Sequence, residues 1–240
     1  MDRQKILVIG ASSGIGQALA ALMVANGHVV GITGRREALL ATTAASHPDQ
    51  YHYRAFDVTD VDRVPAKLEE LAAAMGGIDT VVISAGGGDV NRSLDFDTEH
   101  QMITLNVTAF TCVADWAFTY FKQRGYGQLA AITSVAGMRG SRQAPAYSAT
   151  KAYQINYLQG LRQKARKEQA NIVVTDICPG FVDTPSAKSP TRFWVSALPK
   201  AAEQIYRGLR KHRKVVYISR RWRIVAWLYR QLPNWVHERM

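Results

Sequence analysis

Short apolar runs of strand length alternate with stretches of helical period from the first residues onward. The runs Lys5 to Ile9, His28 to Thr33, Tyr51 to Phe56, Ile78 to Ser84, Gln128 to Thr133, Asn171 to Ile177 and Val215 to Ser219 predict seven strands. The clearest helices between them are Ile15 to Asn26, closed by Gly27; Thr98 to Arg124, closed by Gly125; and Ala149 to Glu168. This alternation predicts βαβ units, hence an α/β fold with helices on both faces of a parallel sheet. No internal repeat or long linker interrupts it, so residues 1–219 read as one domain, with 220–240 as a C-terminal extension.

With 240 residues, 47% of them hydrophobic, the chain can bury an ordinary core without staples. Only Cys112 and Cys178 occur, too few for a disulfide framework and not at metal-ligand spacing, so no metal site is expected. No apolar run is long enough to span a bilayer, and Met1 to Lys5 leads directly into the first strand, so the expected location is cytoplasmic. The net charge of +11 is unevenly placed. From Arg207 onward there are ten Lys/Arg against Glu238 alone, whereas the preceding 206 residues carry 20 basic and 18 acidic groups. A near-neutral body with a basic tail argues against a nucleic-acid-binding protein overall and asks for a separate account of the tail.

Candidate chemistry begins directly after the first strand, at Gly10-Ala11-Ser12-Ser13-Gly14-Ile15-Gly16. Glycines at these offsets allow a tight turn, close approach to a phosphate and close packing of the next helix, whose N-terminal amides then face an anion. Gly10 to Gly14 also match the G-x-S-x-G nucleophile elbow of hydrolases, but an elbow on the first strand is misplaced. The second strand ends Gly34-Arg35-Arg36. A carboxylate at that strand end would bond the ribose 2′-hydroxyl of NAD; two arginines suit a 2′-phosphate, so the expected cofactor is NADP(H). Tyr147 and Lys151, four residues apart on a predicted helix, place a phenol and an ammonium on one face. The cation is expected to draw the phenol's pKa below about 10, toward a range useful for proton exchange with an alcohol. Ser134, at the end of the fifth strand, offers a hydroxyl to a carbonyl oxygen.

Together with Asp57-Val58, Ser84-Ala85-Gly86, Asn106-Val107, Ile132-Thr133-Ser134 and Pro179-Gly180-Phe181-Val182-Asp183-Thr184, these segments resemble the short-chain dehydrogenase/reductase family over nearly the whole chain up to Gly180. The resemblance implies a Rossmann-type, doubly wound three-layer sandwich with a seven-stranded parallel sheet, and a homodimer or homotetramer built through the two long helices. It implies a tetrad of Asn106, Ser134, Tyr147 and Lys151. In that scheme Tyr147 exchanges the proton, Ser134 orients the substrate oxygen, and Lys151 lowers the tyrosine pKa and holds the nicotinamide ribose. Asn106 positions a water that relays protons to Lys151. Asp57 accepts from the adenine amine, Val58 packs beside that ring, and Thr184 fixes the nicotinamide end. The cofactor-binding set is then Gly10, Ser12, Ser13, Gly14, Ile15, Gly16, Arg35, Arg36, Asp57, Val58, Ala85, Gly86, Asn106, Tyr147, Lys151, Pro179, Gly180, Val182 and Thr184. Ile9 and Ser84 depart from the family's usual threonine and asparagine, away from the proton and hydride path.

The implied reaction is NADP(H)-dependent interconversion of a carbonyl and a secondary alcohol. Phe193, Trp194, Val195 and Leu198, in the variable substrate cover between Thr184 and Lys200, point to an apolar substrate such as a 3-oxoacyl or sphingoid-type ketone. Small aldehydes and ketones remain alternatives, as does a cofactor-sensing regulator without catalysis. In the tail, Arg221 to Leu232 predicts a helix with Trp222, Val225, Tyr229 and Leu232 on one stripe and Ile224, Trp227 and Leu228 adjoining it. Tryptophan, tyrosine and arginine together suit peripheral contact with an anionic membrane, packing on the helix's own domain, or packing on a second subunit.

Overall fold

The computed structural model describes residues 3–184, 193–219 and 221–239. Seven strands, β1 (Lys5–Ile9), β2 (Val29–Gly34), β3 (Tyr51–Ala55), β4 (Thr80–Ile83), β5 (Tyr126–Ile132), β6 (Asn171–Pro179) and β7 (Val215–Ile218), form one parallel sheet in the order β3-β2-β1-β4-β5-β6-β7. All seven predicted strands are present, with no end shifted by more than two residues. Helices α1 (Gly14–Ala25), α2 (Glu37–Ala45), α3 (Val64–Ala74), α4 (Phe96–Ile103), α5 (Phe110–Arg124), α6 (Pro145–Lys167), α7 (Leu198–Arg210), α8 (Arg221–Gln231) and the short α9 (Asn234–His237) complete the described chain.

Alternation along each strand sends successive side chains to opposite faces. In β1, Ile6 and Val8 join Leu19 and Met23 of α1, Leu40 of α2 and Ile205 and Leu209 of α7. Leu7 and Ile9 join Leu68 and Leu71 of α3, Val113 and Phe121 of α5 and Leu158 of α6. The result is a three-layer, doubly wound sandwich of Rossmann type. The strand order reverses between β1 and β4, the point where folds of this kind form a crevice beyond the carboxyl ends of the strands.

Two helices differ from expectation in ways that shape the crevice. The stretch predicted as one helix over Thr98 to Arg124 begins at Phe96 and contains a π-helical segment, Thr104–Ala109, between α4 and α5. A hydrophobic period cannot reveal one wide turn; here Asn106 bonds outward to Gly87 and Thr150, and the wide turn carries it. Helix α6 begins at Pro145, four residues before the predicted start, because a proline is favoured in a first turn and Glu99 accepts the Ala146 backbone N–H (3.0 Å). Tyr147 therefore lies in the first turn of α6.

The basic tail folds back on the sandwich. Trp222 and Ala226 of α8 are buried, and Trp222 packs in an aromatic cluster with Phe181, Phe193 and Trp194, ring centroids 5.1 to 6.2 Å away. Its indole lies so close to Gly180 that a Cβ there would fall 2.0 Å from the ring, so only glycine fits. Arg139 donates to the Tyr229 carbonyl (2.9 Å), the Leu232 carbonyl and Asn234 Oδ1 (2.8 Å), capping the end of α8. Truncating Trp222 empties a packed site, whereas Trp227 is 60% exposed. In urea denaturation Trp222→Ala is expected to lose about 3 kcal/mol, and Trp227→Ala to stay within about 0.5 kcal/mol of the parent.

Candidate active site

The glycine turn is built by close backbone contacts. Gly10 has φ +84°, and a Cβ there would fall 2.6 Å from the Ala85 backbone nitrogen; a Cβ at Gly16 would fall 2.2 Å from the Gly10 carbonyl oxygen. The Gly10 and Ala11 N–H groups both donate to the Thr33 carbonyl. Ser13 precedes α1 without capping it by its side chain, so the first amides of this helix are left without that partner, and Ile15 packs against the core. The Thr184 methyl lies 3.8 Å from the Cβ position of Gly14, which brings the segment after β6 across the turn. Val182 is buried and bridges to Ser196, and residues 185–192 of the predicted substrate cover lie outside the described residues.

The arginine pair divides its work. Arg36 spans the turn, donating to Ser12 Oγ (2.9 Å) and Ser13 Oγ (2.7 Å), whereas Arg35 lies 3.8 Å from the Asp57 carboxylate. Asp57 Oδ1 also accepts from the Thr59 N–H (2.9 Å) and hydroxyl (2.8 Å). Burial raises its pKa, but the Thr59 bonds and Arg35 outweigh that and leave it below the usual value. Val58 packs against the core beside it. A Cβ at Gly34 would sit 3.1 Å from Ser12 Oγ, so the strand end where a carboxylate would stand is already narrow.

Across the switch point, β4 delivers Ala85 and Gly86, and β5 delivers Ser134, whose Oγ accepts from the Ala136 N–H (3.1 Å). The π segment delivers Asn106. Its side chain donates to the Gly87 carbonyl (2.7 Å) and Thr150 Oγ1 (3.1 Å) and accepts from the Gly87 N–H (3.1 Å). A Cβ at Gly86 would lie 3.3 Å from both Asn106 Oδ1 and Lys151 Nζ, so a backbone without a side chain covers both groups. Pro179 ends β6 and Gly180 returns its N–H to the Ile218 carbonyl (2.8 Å). All four predicted tetrad residues thus come to one end of the sheet, from the π segment, α6 and the terminus of β5.

Lys151 is buried and donates to the Ile132 carbonyl (3.0 Å) and Gln154 Oε1 (2.9 Å). Burial lowers its pKa to about 8, opposed by the nearby Asp176 and Cys178. Tyr147 departs from expectation. Its pKa is raised, burial being the largest cause, although a hydrogen bond with Ser134 pulls it down. Burial outweighs that bond, while Lys151 Nζ lies 6.0 Å from the ring centroid and donates to Ile132 and Gln154. Behind the lysine, buried Asp176 accepts from Thr133 Oγ1 (2.6 Å); burial raises its pKa and that bond opposes the rise.

Three further residues belong to this neighbourhood that sequence reasoning did not single out. Gly88 approaches Tyr147 so closely that a Cβ would fall 2.2 Å from the ring. Glu99 holds the N-terminal amide of α6 and Asn91 Nδ2 (2.7 Å). Gln154 links Lys151 to the Asn106 backbone carbonyl, to which its Nε2 donates (2.8 Å). Gln154 falls three residues after Lys151, on the same helix face, and that spacing was the available signal.

Residues 4–192 match the family pattern described as short chain dehydrogenase. The chain is a short-chain dehydrogenase/reductase. Among its relatives, an uncharacterized oxidoreductase of Mycobacterium tuberculosis is 36% identical over 192 residues, covering 77% of this chain and 75% of the relative. Nodulation protein G of Rhizobium sp. (strain N33) is 33% identical over 184 residues, covering 75% and 74%. A short-chain dehydrogenase from Streptomyces avermitilis superposes with a TM-score of 0.83 at 25% identity, covering 95% of this chain and 92% of that one. A point variant of actinorhodin polyketide ketoreductase solved with NADPH superposes with a TM-score of 0.78 at 23% identity, covering 90% and 96%, which shows the shared fold. This short-chain dehydrogenase/reductase is therefore an oxidoreductase of a nicotinamide dinucleotide. The narrow glycine turn, the amides of α1 and the Arg36–Ser12–Ser13 cluster fit such a dinucleotide. Among the described residues no group of His, Cys, Asp and Glu could hold a metal ion, and no helix is long and apolar enough to cross a membrane.

Proposed function

We propose that this enzyme is an NADP(H)-dependent carbonyl reductase acting on an apolar ketone. The observation that carries the cofactor choice is Arg36 drawn onto Ser12 and Ser13, with Arg35 beside Asp57, at a strand end that has no carboxylate. Two guanidinium groups and two hydroxyls offer a 2′-phosphate charge-assisted bonds that a 2′-hydroxyl could not repay. Solved structures of the same fold carry NADP or NADPH, among them ElxO with NADP and the actinorhodin ketoreductase with NADPH, which supports the choice.

When bound, the reduced nicotinamide supplies the hydride. The chain's own residues do the rest. Gly10, Gly14 and Gly16 would admit the pyrophosphate to the start of α1, Asp57 and Val58 would border the adenine, and Pro179, Gly180, Val182 and Thr184 would hold the nicotinamide end. Ser134 donates its hydroxyl to the substrate carbonyl oxygen, and Tyr147 passes its phenolic proton to that oxygen as negative charge develops there. Lys151, 6.0 Å from the ring, lends its charge to the phenolate left on Tyr147, and Asn106 braces the first turns of α6 through Thr150. The aromatic cluster of Phe181, Phe193, Trp194 and Trp222 at the margin of the cover favours an apolar substrate, a 3-oxoacyl or sphingoid-type ketone over a small polar aldehyde. Residues 1–219 form the catalytic unit, and the long faces of α5 and α6 pair copies into a homodimer or homotetramer.

The outward face of α8 adds a location. Trp222 and Ala226 face inward, while Ile224, Trp227 and Leu228 are 50 to 61% exposed, with Arg223 and Arg230 on one flank and Arg221 on the other. An apolar stripe flanked by arginines on both sides fits an anionic bilayer, with the arginine heads at the phosphates. A second copy pressed on the same face would set arginine against arginine, and nucleic acid has no use for the apolar stripe.

Tryptophan-fluorescence titration is expected to give NADPH at least tenfold tighter than NADH, about 1.4 kcal/mol, and Arg36→Ala to erase most of that preference; equal affinities in the parent would overturn the cofactor assignment. With NADPH and a medium-chain 3-oxoacyl thioester, Tyr147→Phe is expected to cut turnover by about 100-fold or more while leaving NADPH affinity intact. Vesicles of phosphatidylglycerol are expected to pellet the parent protein. A variant with Ile224, Trp227 and Leu228 changed to serine should remain in the supernatant, and equal pelleting of the two would remove the membrane reading.

A further inference from the structure

The bridge between Lys151 and the π segment is made by a side chain. Gln154 accepts from Lys151 Nζ through Oε1 (2.9 Å) and donates through Nε2 to the Asn106 backbone carbonyl (2.8 Å). Those are the two partners that the family scheme gives to an ordered relay water. Gln154 is only 1% exposed, one turn beyond Lys151 on α6, and its amide uses one donor and one acceptor on groups that are themselves buried or on the wide turn. A planar amide fixed at both ends holds its partners at a set distance, whereas a water exchanges and reorients.

We propose that Gln154 is a positioning residue for catalysis: its amide takes the place of the relay water, tying the Lys151 ammonium to the Asn106 carbonyl and keeping the lysine charged beneath Tyr147. An acceptor bonded to the ammonium favours its charged form, so the bridge offsets part of the desolvation that burial imposes. Besides Gln154, the ammonium meets the Ile132 carbonyl from β5, the ionisable Asp176 and Cys178 from β6 and Tyr147 from its own helix. Asp176 and Cys178 act in the same direction as the bridge, so the contribution of Gln154 must be read as a difference between variants. An amide also does not pass a proton along as water does, because it would have to become an imidic acid. In this chain the lysine is therefore held by protein at that side and not by exchanging solvent. This inference builds on the proposed catalytic role of Lys151, but its direct test needs neither cofactor nor substrate.

The test is the titration of Lys151 itself, followed by NMR of the enzyme labelled with ¹³C at lysine Cε and assigned with Lys151→Arg. The parent resonance is expected to titrate near pH 8. In Gln154→Leu, which removes the acceptor, the midpoint should fall by about half a pH unit or more; in Gln154→Glu, which puts a carboxylate there, it should rise by at least as much. The opposed signs separate this role from packing, since a structural residue would move both variants alike or neither. Midpoints unchanged in both, or shifted the same way in both, overturn the proposal. If Gln154→Leu does not fold, the rise in Gln154→Glu stands as the deciding measurement, because that substitution preserves side-chain size. Loss of NADPH binding by the parent would sink the cofactor reading yet leave this titration interpretable.

Discussion

An ammonium buried at the carboxyl edge of the sheet is the constraint around which this site is arranged. Leaving water is costly for Lys151, and the structure meets that cost with a strand carbonyl, a side-chain amide and a carboxylate nearby. Each of these needs support of its own. The carbonyl is available because β5 ends at Ile132; the amide is held because the π segment presents the Asn106 carbonyl toward α6; Asp176 is held by Thr133. A wide turn in a long helix, a strand terminus and a buried acid thus converge on one charge inside the protein.

The cofactor side of the crevice obeys a different rule, exclusion by backbone. At Gly10 and Gly16 a Cβ would strike main chain, and at Gly86 it would crowd Asn106 and Lys151, so the crevice is shaped by what is missing from these residues. Gly88 applies the same device to the Tyr147 ring. Polar recognition is then added at the rim, where Arg36 gathers two serine hydroxyls and Arg35 pairs with Asp57. Those rim contacts are solvated and adaptable, which suits charge-assisted capture of a phosphate more than rigid support.

The C-terminal helix ties the surface of the molecule to the site. Its inner face seals the aromatic cluster beside Gly180 through Trp222, and its end is capped by Arg139 from the segment after β5. A surface feature is in this way fastened to the loop that carries Ser134 and to the margin of the substrate cover. The same eleven residues present apolar groups outward between arginines, so one helix packs on the enzyme and faces its surroundings.

By itself, the sequence determined the strand–helix alternation, the glycine turn, the arginine pair and the Tyr147–Lys151 spacing, because each depends on neighbours within a few residues and on periods of two or 3.6. It also carried enough family resemblance to name Asn106 and Ser134, which lie 41 and 13 positions before Tyr147. What the tertiary structure alone decided depends on groups far apart in the chain. The π turn at Asn106 answers contacts with Gly87 and Thr150; the raised pKa of Tyr147 reflects burial by elements no local window contains; Gln154 gains meaning only from the carbonyl it meets 48 positions away. For α8 the period showed one apolar stripe with a second group adjoining it, and only packing against Gly180 and Phe181 could sort the inward Trp222 from the outward Trp227. Local chemistry is written in local sequence, whereas burial and the partners it imposes are properties of the assembled sheet.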